Sequence, residues 1–182
     1  MSTTHTPKIE AGTLFPALEA RTLDGTTRDL GVPTGGHDWT MVVVYRGRHC
    51  PLCTRYLGEL EQFRPRRAEL GIDLVAVSGD SKEQLAEHTE RLNVSFPLFY
   101  GLSIEQMKSL GAYISHPRSE KETDHPFAEP ALFVVNGDRR VQVVDLSNNP
   151  FVRPQLDKLV SGLAWIRNPA NDYPIRGTYA YA

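Results

Sequence analysis

Apolar positions along this chain fall into short blocks separated by turn formers, and the length and period of each block predict an element. Residues 39–45 and 72–78 are almost wholly apolar, and runs of that length read as strands covered on both faces. Between them, residues 51–70 have helical composition. Pro51 suits the first turn, Pro65 predicts a kink and Gly71 a C-terminal cap. Ser81-Lys82-Glu83-Gln84 and Ser103-Ile104-Glu105-Gln106 are capping boxes, opening helices to about Leu92 and Gly111. The segment 96–100 between them has room only for a short strand. After a polar loop at 116–126, residues 131–135 and 141–146 form a strand pair joined by a hairpin loop at 136–140. Pro154 opens a last amphipathic helix to about Arg167, and near the start Asp24-Gly25 marks a hairpin turn.

Strand, helix, strand, helix, strand pair, helix is an order with one structural solution close at hand. The first two strands must be parallel with a right-handed crossover, and the later pair adds antiparallel strands. The expected fold is an α/β three-layer sandwich: a mixed central sheet, helices on both faces and an N-terminal hairpin. With 182 residues the chain is read as one domain at 13–167, between a flexible leader at 1–12 and a C-terminal tail at 168–182. The tail carries Tyr173, Ile175, Tyr179 and Tyr181, which would suit a partner or a second copy in a homodimer, or would pack back on the domain.

Charge narrows the function. Twenty basic and 22 acidic side chains give a net charge of about −2, so no polybasic surface points to nucleic acid or a membrane. Apolar runs stay far short of the roughly 20 residues of a membrane helix, and the polar N-terminus lacks the layout of a signal peptide. The expected location is cytoplasmic, where a cysteine pair is catalytic or sensing rather than a structural staple.

The only two cysteines lie in Cys50-Pro51-Leu52-Cys53, where the first buried strand turns into the first helix. Free amide N–H groups and the positive helix end stabilise a thiolate there, and the second cysteine is one turn on, within disulfide reach. On this reading Cys50, flanked by Arg48 and His49, whose charge would lower its pKa further, attacks in dithiol–disulfide exchange and Cys53 resolves the mixed disulfide. In a peroxidase version Cys53 attacks a peroxide oxygen and Cys50 condenses with the sulfenic acid, with Arg46 or Arg48 facing the departing oxygen. A redox-sensing or binding module, and a zinc site from Cys50, Cys53, His49 and a remote ligand, are the alternatives outside redox enzymes.

The element order with its dithiol resembles the thioredoxin fold. Phe15-Pro16 and Leu23-Asp24-Gly25-Thr26, with Tyr45 to Cys53, resemble the alkyl hydroperoxide reductase and thiol-specific antioxidant (peroxiredoxin-like) family. That resemblance implies a thiol-dependent oxidoreductase without bound cofactor, drawing electrons from a dithiol protein or small thiol and passing them to a disulfide or hydroperoxide. It places Cys53 at the peroxidatic position, Cys50 where the family has threonine, and Arg46 where it has proline. It also implies a cis-proline at Pro130, beside the sulfurs, on the strand where peroxiredoxins carry an arginine.

Overall fold

The computed structural model describes residues 7–180. Its centre is a five-stranded mixed sheet. β3 (Trp39–Val44) lies in the middle, parallel to β4 (Ile72–Val77) on one side and antiparallel to β8 (Ala131–Val135) on the other. β5 (Leu98–Phe99) and β9 (Val141–Leu146) form the edges, giving the order β5-β4-β3-β8-β9. The apolar runs at 39–45 and 72–78 occupy the two inner positions that their patterning demands: β4 is buried at every residue.

Alternation along these strands builds two cores, one per face. Val42, Val44, Val75, Val77 and Phe133 point to one side, where α4 (Ile104–Ser109) supplies Met107 and the N-terminal hairpin supplies Ala20. That hairpin pairs β1 (Glu19–Arg21) with β2 (Thr27–Asp29). Met41, Val43, Leu74, Leu132 and Val134 point to the other side, against α1 (Pro51–Gln62) and α5 (Leu156–Arg167). Each of these buried aliphatic side chains contributes about 1.5–3 kcal/mol, so the end of β3 and the start of α1 rest on a firm base.

Several elements differ from the sequence reading. The helix expected across 51–70 is two, α1 and α2 (Arg64–Glu69), because Pro65 in the second turns the chain at Phe63 instead of bending one rod. The capped helices both keep their boxes, but the first, α3 (Lys82–Thr89), ends short of Leu92. The polar loop is clamped by a two-stranded ladder of β6 (Ile114–Ser115) and β7 (Phe127–Ala128), too short to leave a periodic signal. The expected leader is docked where described: Lys8 Nζ donates to the Gly111 carbonyl at 2.8 Å and Gly12 N–H to Val141 at 2.8 Å. The rest of that leader, residues 1–6, lies outside the described residues, as do 181 and 182 of the tail. Among the described residues no helix is long and apolar enough to cross a membrane.

Candidate active site

Beyond Val44 the chain must leave the sheet and enter α1 within a few residues. Gly47 makes this turn with φ +130°, a region that side chains avoid. A Cβ at this position would lie 3.0 Å from the Asp80 carboxyl carbon, so only glycine lets that buried carboxylate accept the Arg48 N–H at 2.8 Å. The turn sets Cys50 as the N-cap of α1, in extended conformation, and its Sγ accepts the Cys53 N–H at 3.3 Å. A sulfur stands where a serine or aspartate oxygen usually caps a helix, at the positive end of the dipole.

Both cysteines are free and buried, Cys50 at 2 % and Cys53 at 1 % exposure. The Cys53 thiol hydrogen-bonds to Cys50 and, against the opposing effect of burial, brings the Cys50 pKa down to about 6; the Cys53 N–H, the Arg153 charge and Arg46 assist. Cys53 is pushed up, first by burial and then by its hydrogen bond to Cys50 and the adjacent thiolate. Near neutral pH the pair therefore carries one negative charge and shares one proton.

Arg153 is the residue that sequence reasoning missed. It lies between β9 and α5, and its Nη2 is 2.9 Å from Cys53 Sγ while Nη1 donates to the Pro150 carbonyl at 2.8 Å. Its guanidinium sits 5.3 Å from the Tyr56 ring centroid, and Tyr56 in turn donates to the Pro154 carbonyl at 3.1 Å, latching the loop to α1. Cys53, Arg153, Tyr45, Tyr56 and Pro130 line a small cavity of about 10 Å³. That is at the lower limit for a single water-sized molecule.

Of the arginines expected at the sulfurs, one is there. Arg46 lies close enough to the Cys50 sulfur to help lower its pKa. Two nearly buried carboxylates hold it: Nη2 donates to Glu122 at 3.3 Å, and Nε is ion-paired with Glu129 at 3.3 Å. Glu129 also accepts from Ser115 Oγ at 2.7 Å, and Phe127 stacks under the guanidinium at 4.5 Å. Arg48 is turned away, paired with Glu87 at 2.6 Å. His49 packs 4.6 Å from the Phe127 ring, and burial, then the Arg46 charge, lowers its pKa to about 4. It is therefore neutral near pH 7, a correction to the expectation that its charge assists Cys50. Pro130 does sit at the site, but its peptide bond is trans, since no cis bond occurs among the described residues. Glu129 N–H donates to Tyr113 and Pro130 C=O accepts from Ser147, so both neighbouring groups are satisfied by an extended chain without a cis turn. Among the described residues no three His, Cys, Asp or Glu side chains are grouped as metal ligands, so the zinc alternative finds no ligand set.

Comparison with known proteins bears on the family and the fold. Residues 11–144 match the model of the AhpC/TSA family. A 1-Cys peroxiredoxin of Medicago truncatula is 24 % identical over 144 residues, covering 75 % of this chain and 64 % of the relative. A probable 1-Cys peroxiredoxin of Syntrichia ruralis is 23 % identical over 138 residues, covering 72 % and 62 %. The chain thus spans less than two thirds of the length of these relatives. Among solved structures, a cysteine-to-serine mutant of the peroxiredoxin 6 of Arenicola marina superposes with a TM-score of 0.74 at 19 % identity, over 89 % of this chain and 75 % of that one. Peroxidoxin BcpB of Mycobacterium tuberculosis gives 0.70 at 20 % identity, over 88 % and 99 %. The fold is thioredoxin-like, as its element order suggested.

Proposed function

The chain belongs to the AhpC/TSA family, and from that premise we propose that it is a thiol-dependent peroxidase working through Cys50 and Cys53. The observation that carries the reading is Arg153, 2.9 Å from Cys53 Sγ and lining with it a cavity of about 10 Å³. Near-complete burial of both sulfurs bars a bulky protein disulfide from either without rearrangement, whereas a hydroperoxide needs little room. In the proposed cycle Cys53 passes its proton to the Cys50 thiolate and attacks the peroxide, breaking the O–O bond. The departing alkoxide or hydroxide takes that proton, leaving an alcohol or water and a sulfenic acid on Cys53. Arg153 stabilises the charge that moves from sulfur to oxygen. The Cys50 thiolate, one turn away with its Sγ on the Cys53 N–H, attacks the sulfenic sulfur, expels hydroxide and closes the disulfide. A small thiol, or a dithiol protein once the site has rearranged to admit it, restores the pair.

The test is peroxide consumption by wild type, Cys50→Ser and Cys53→Ser, with dimedone trapping. Cys50→Ser should accumulate a sulfenate on Cys53, and Cys53→Ser should lose peroxide turnover. A sulfenate confined to Cys50, or inertness of wild type to every hydroperoxide, would sink the proposal. The lowered pKa of Cys50 favours a second reading, reduction of small disulfides with Cys50 attacking first. Turnover of a model disulfide that survives in Cys53→Ser as a trapped mixed disulfide on Cys50 would support it.

A further inference from the structure

A second opening lies beside the dithiol, on the far side of His49 and Pro51 from the two buried sulfurs. It is a polar cleft of about 480 Å³, within the size range of small-molecule sites, and its wall includes His49 and Pro51, the residues on either side of Cys50. Most of its charges are committed to one another. Glu122 is held by Arg46 and Arg118, Asp124 by His125 at 2.7 Å and Gln84 at 2.9 Å, and Arg48 by Glu87. Three are left over. Arg91 touches only the Arg48 carbonyl, at 3.2 Å, and Lys121 and Glu120 have no hydrogen bond or ion pair among the described residues. His49 adds two ring nitrogens that are shielded from solvent and unpartnered.

Two free cations and one free anion are the complement of a molecule with two carboxylates and one ammonium group. We infer that this cleft binds a low-molecular-weight thiol of that charge pattern, and that this thiol is the reductant of the Cys50–Cys53 disulfide. The inference rests on the redox reading above and adds the electron donor to it. Its chemistry closes. The bound thiol gives up its proton to solvent, as any free thiol must before exchange. The thiolate attacks Cys50, forming a mixed disulfide, and the S–S bond breaks toward Cys53, whose leaving thiolate is met by Arg153. A second thiolate attacks the mixed disulfide and releases Cys50 as its thiolate. Two thiols are oxidised to one disulfide, and one protein disulfide is reduced.

Glutathione carries the required charges, and its S-methyl derivative binds without reacting. Isothermal titration should show S-methylglutathione binding to the wild-type protein. In an Arg91→Gln/Lys121→Gln double variant the affinity should fall by about 2- to 30-fold, the range for losing two exposed ion pairs. The KM for glutathione should rise by the same factor, while turnover driven by uncharged dithiothreitol is unchanged. Absence of wild-type binding, equal binding by the double variant, or turnover with dithiothreitol but none with glutathione would each overturn the inference. If no thiol supports turnover, the peroxidase reading fails, and with it the reductant role. The titration then reports independently whether the cleft is an anion-selective site.

Discussion

Replacing Arg153 by methionine keeps an aliphatic stem beside Tyr56 and removes the guanidinium that lies 2.9 Å from Cys53 Sγ. A hydrogen bond to a charged group is worth about 1.5–3 kcal/mol. The charge develops only as the sulfur attacks, so the loss should fall on the barrier, a slowing of about 10- to 150-fold. The assay is single-turnover reduction of hydrogen peroxide by fully reduced protein, followed by loss of free thiol. A second readout separates this role from a merely structural one. Arg153 helps to hold the Cys50 pKa near 6, so the pH at which Cys50 becomes alkylatable should move up in the variant. Arg153→Lys restores charge but not the two-armed reach that also contacts the Pro150 carbonyl, and should fall between the two. A folded Arg153→Met protein with a rate within about twofold of wild type and an unmoved alkylation midpoint would refute the reasoning, since such a change is under about 0.5 kcal/mol.

Other consequences follow from the same geometry. Iodoacetamide should label Cys50 with a midpoint near pH 6, and Cys53→Ala, which removes the foremost cause of that low value, should raise the midpoint. Because Cys50 ionises more easily folded than unfolded, the reduced protein should gain stability as pH rises from about 6 toward 9 and lose it as pH falls through 6. Urea unfolding at the two ends, with Cys50→Ser as the flat control, measures the gain. Glu129→Gln should loosen Arg46 from Cys50 and raise the alkylation midpoint, while circular dichroism stays native. Gly47→Ala should drive the Asp80 carboxylate off the Arg48 N–H, lowering stability by about 1–3 kcal/mol in thermal unfolding and slowing peroxide turnover.

Much of this was legible in the chain before any coordinates. Inner strands carry unbroken apolar runs because both faces are covered, and that signal located β3 and β4 and so the place of the dithiol. Two cysteines and no others made the pair conspicuous. Arg153 was not legible, because it lies 100 residues from Cys53 in a loop without period. Only the antiparallel return of β9 carries that loop to the start of α1. Arg46 and Arg48 looked equivalent in sequence; Glu129 and Glu122 draw one to the sulfur, and Glu87 takes the other away. The neutrality of His49 follows from packing against Phe127 and lying near Arg46, neither of which local spacing reveals.

The single helical turn between the two sulfurs also decides how such a protein would fare under heavy oxidant load. A sulfenic acid on Cys53 has its resolving partner already at hand, so disulfide closure needs no unwinding of α1 and proceeds as an intramolecular step. Further oxidation to the irreversible sulfinic state must compete with that closure from bulk solution. The contact would therefore act as a safety catch, keeping the protein in service where a lone buried thiol would be burnt out.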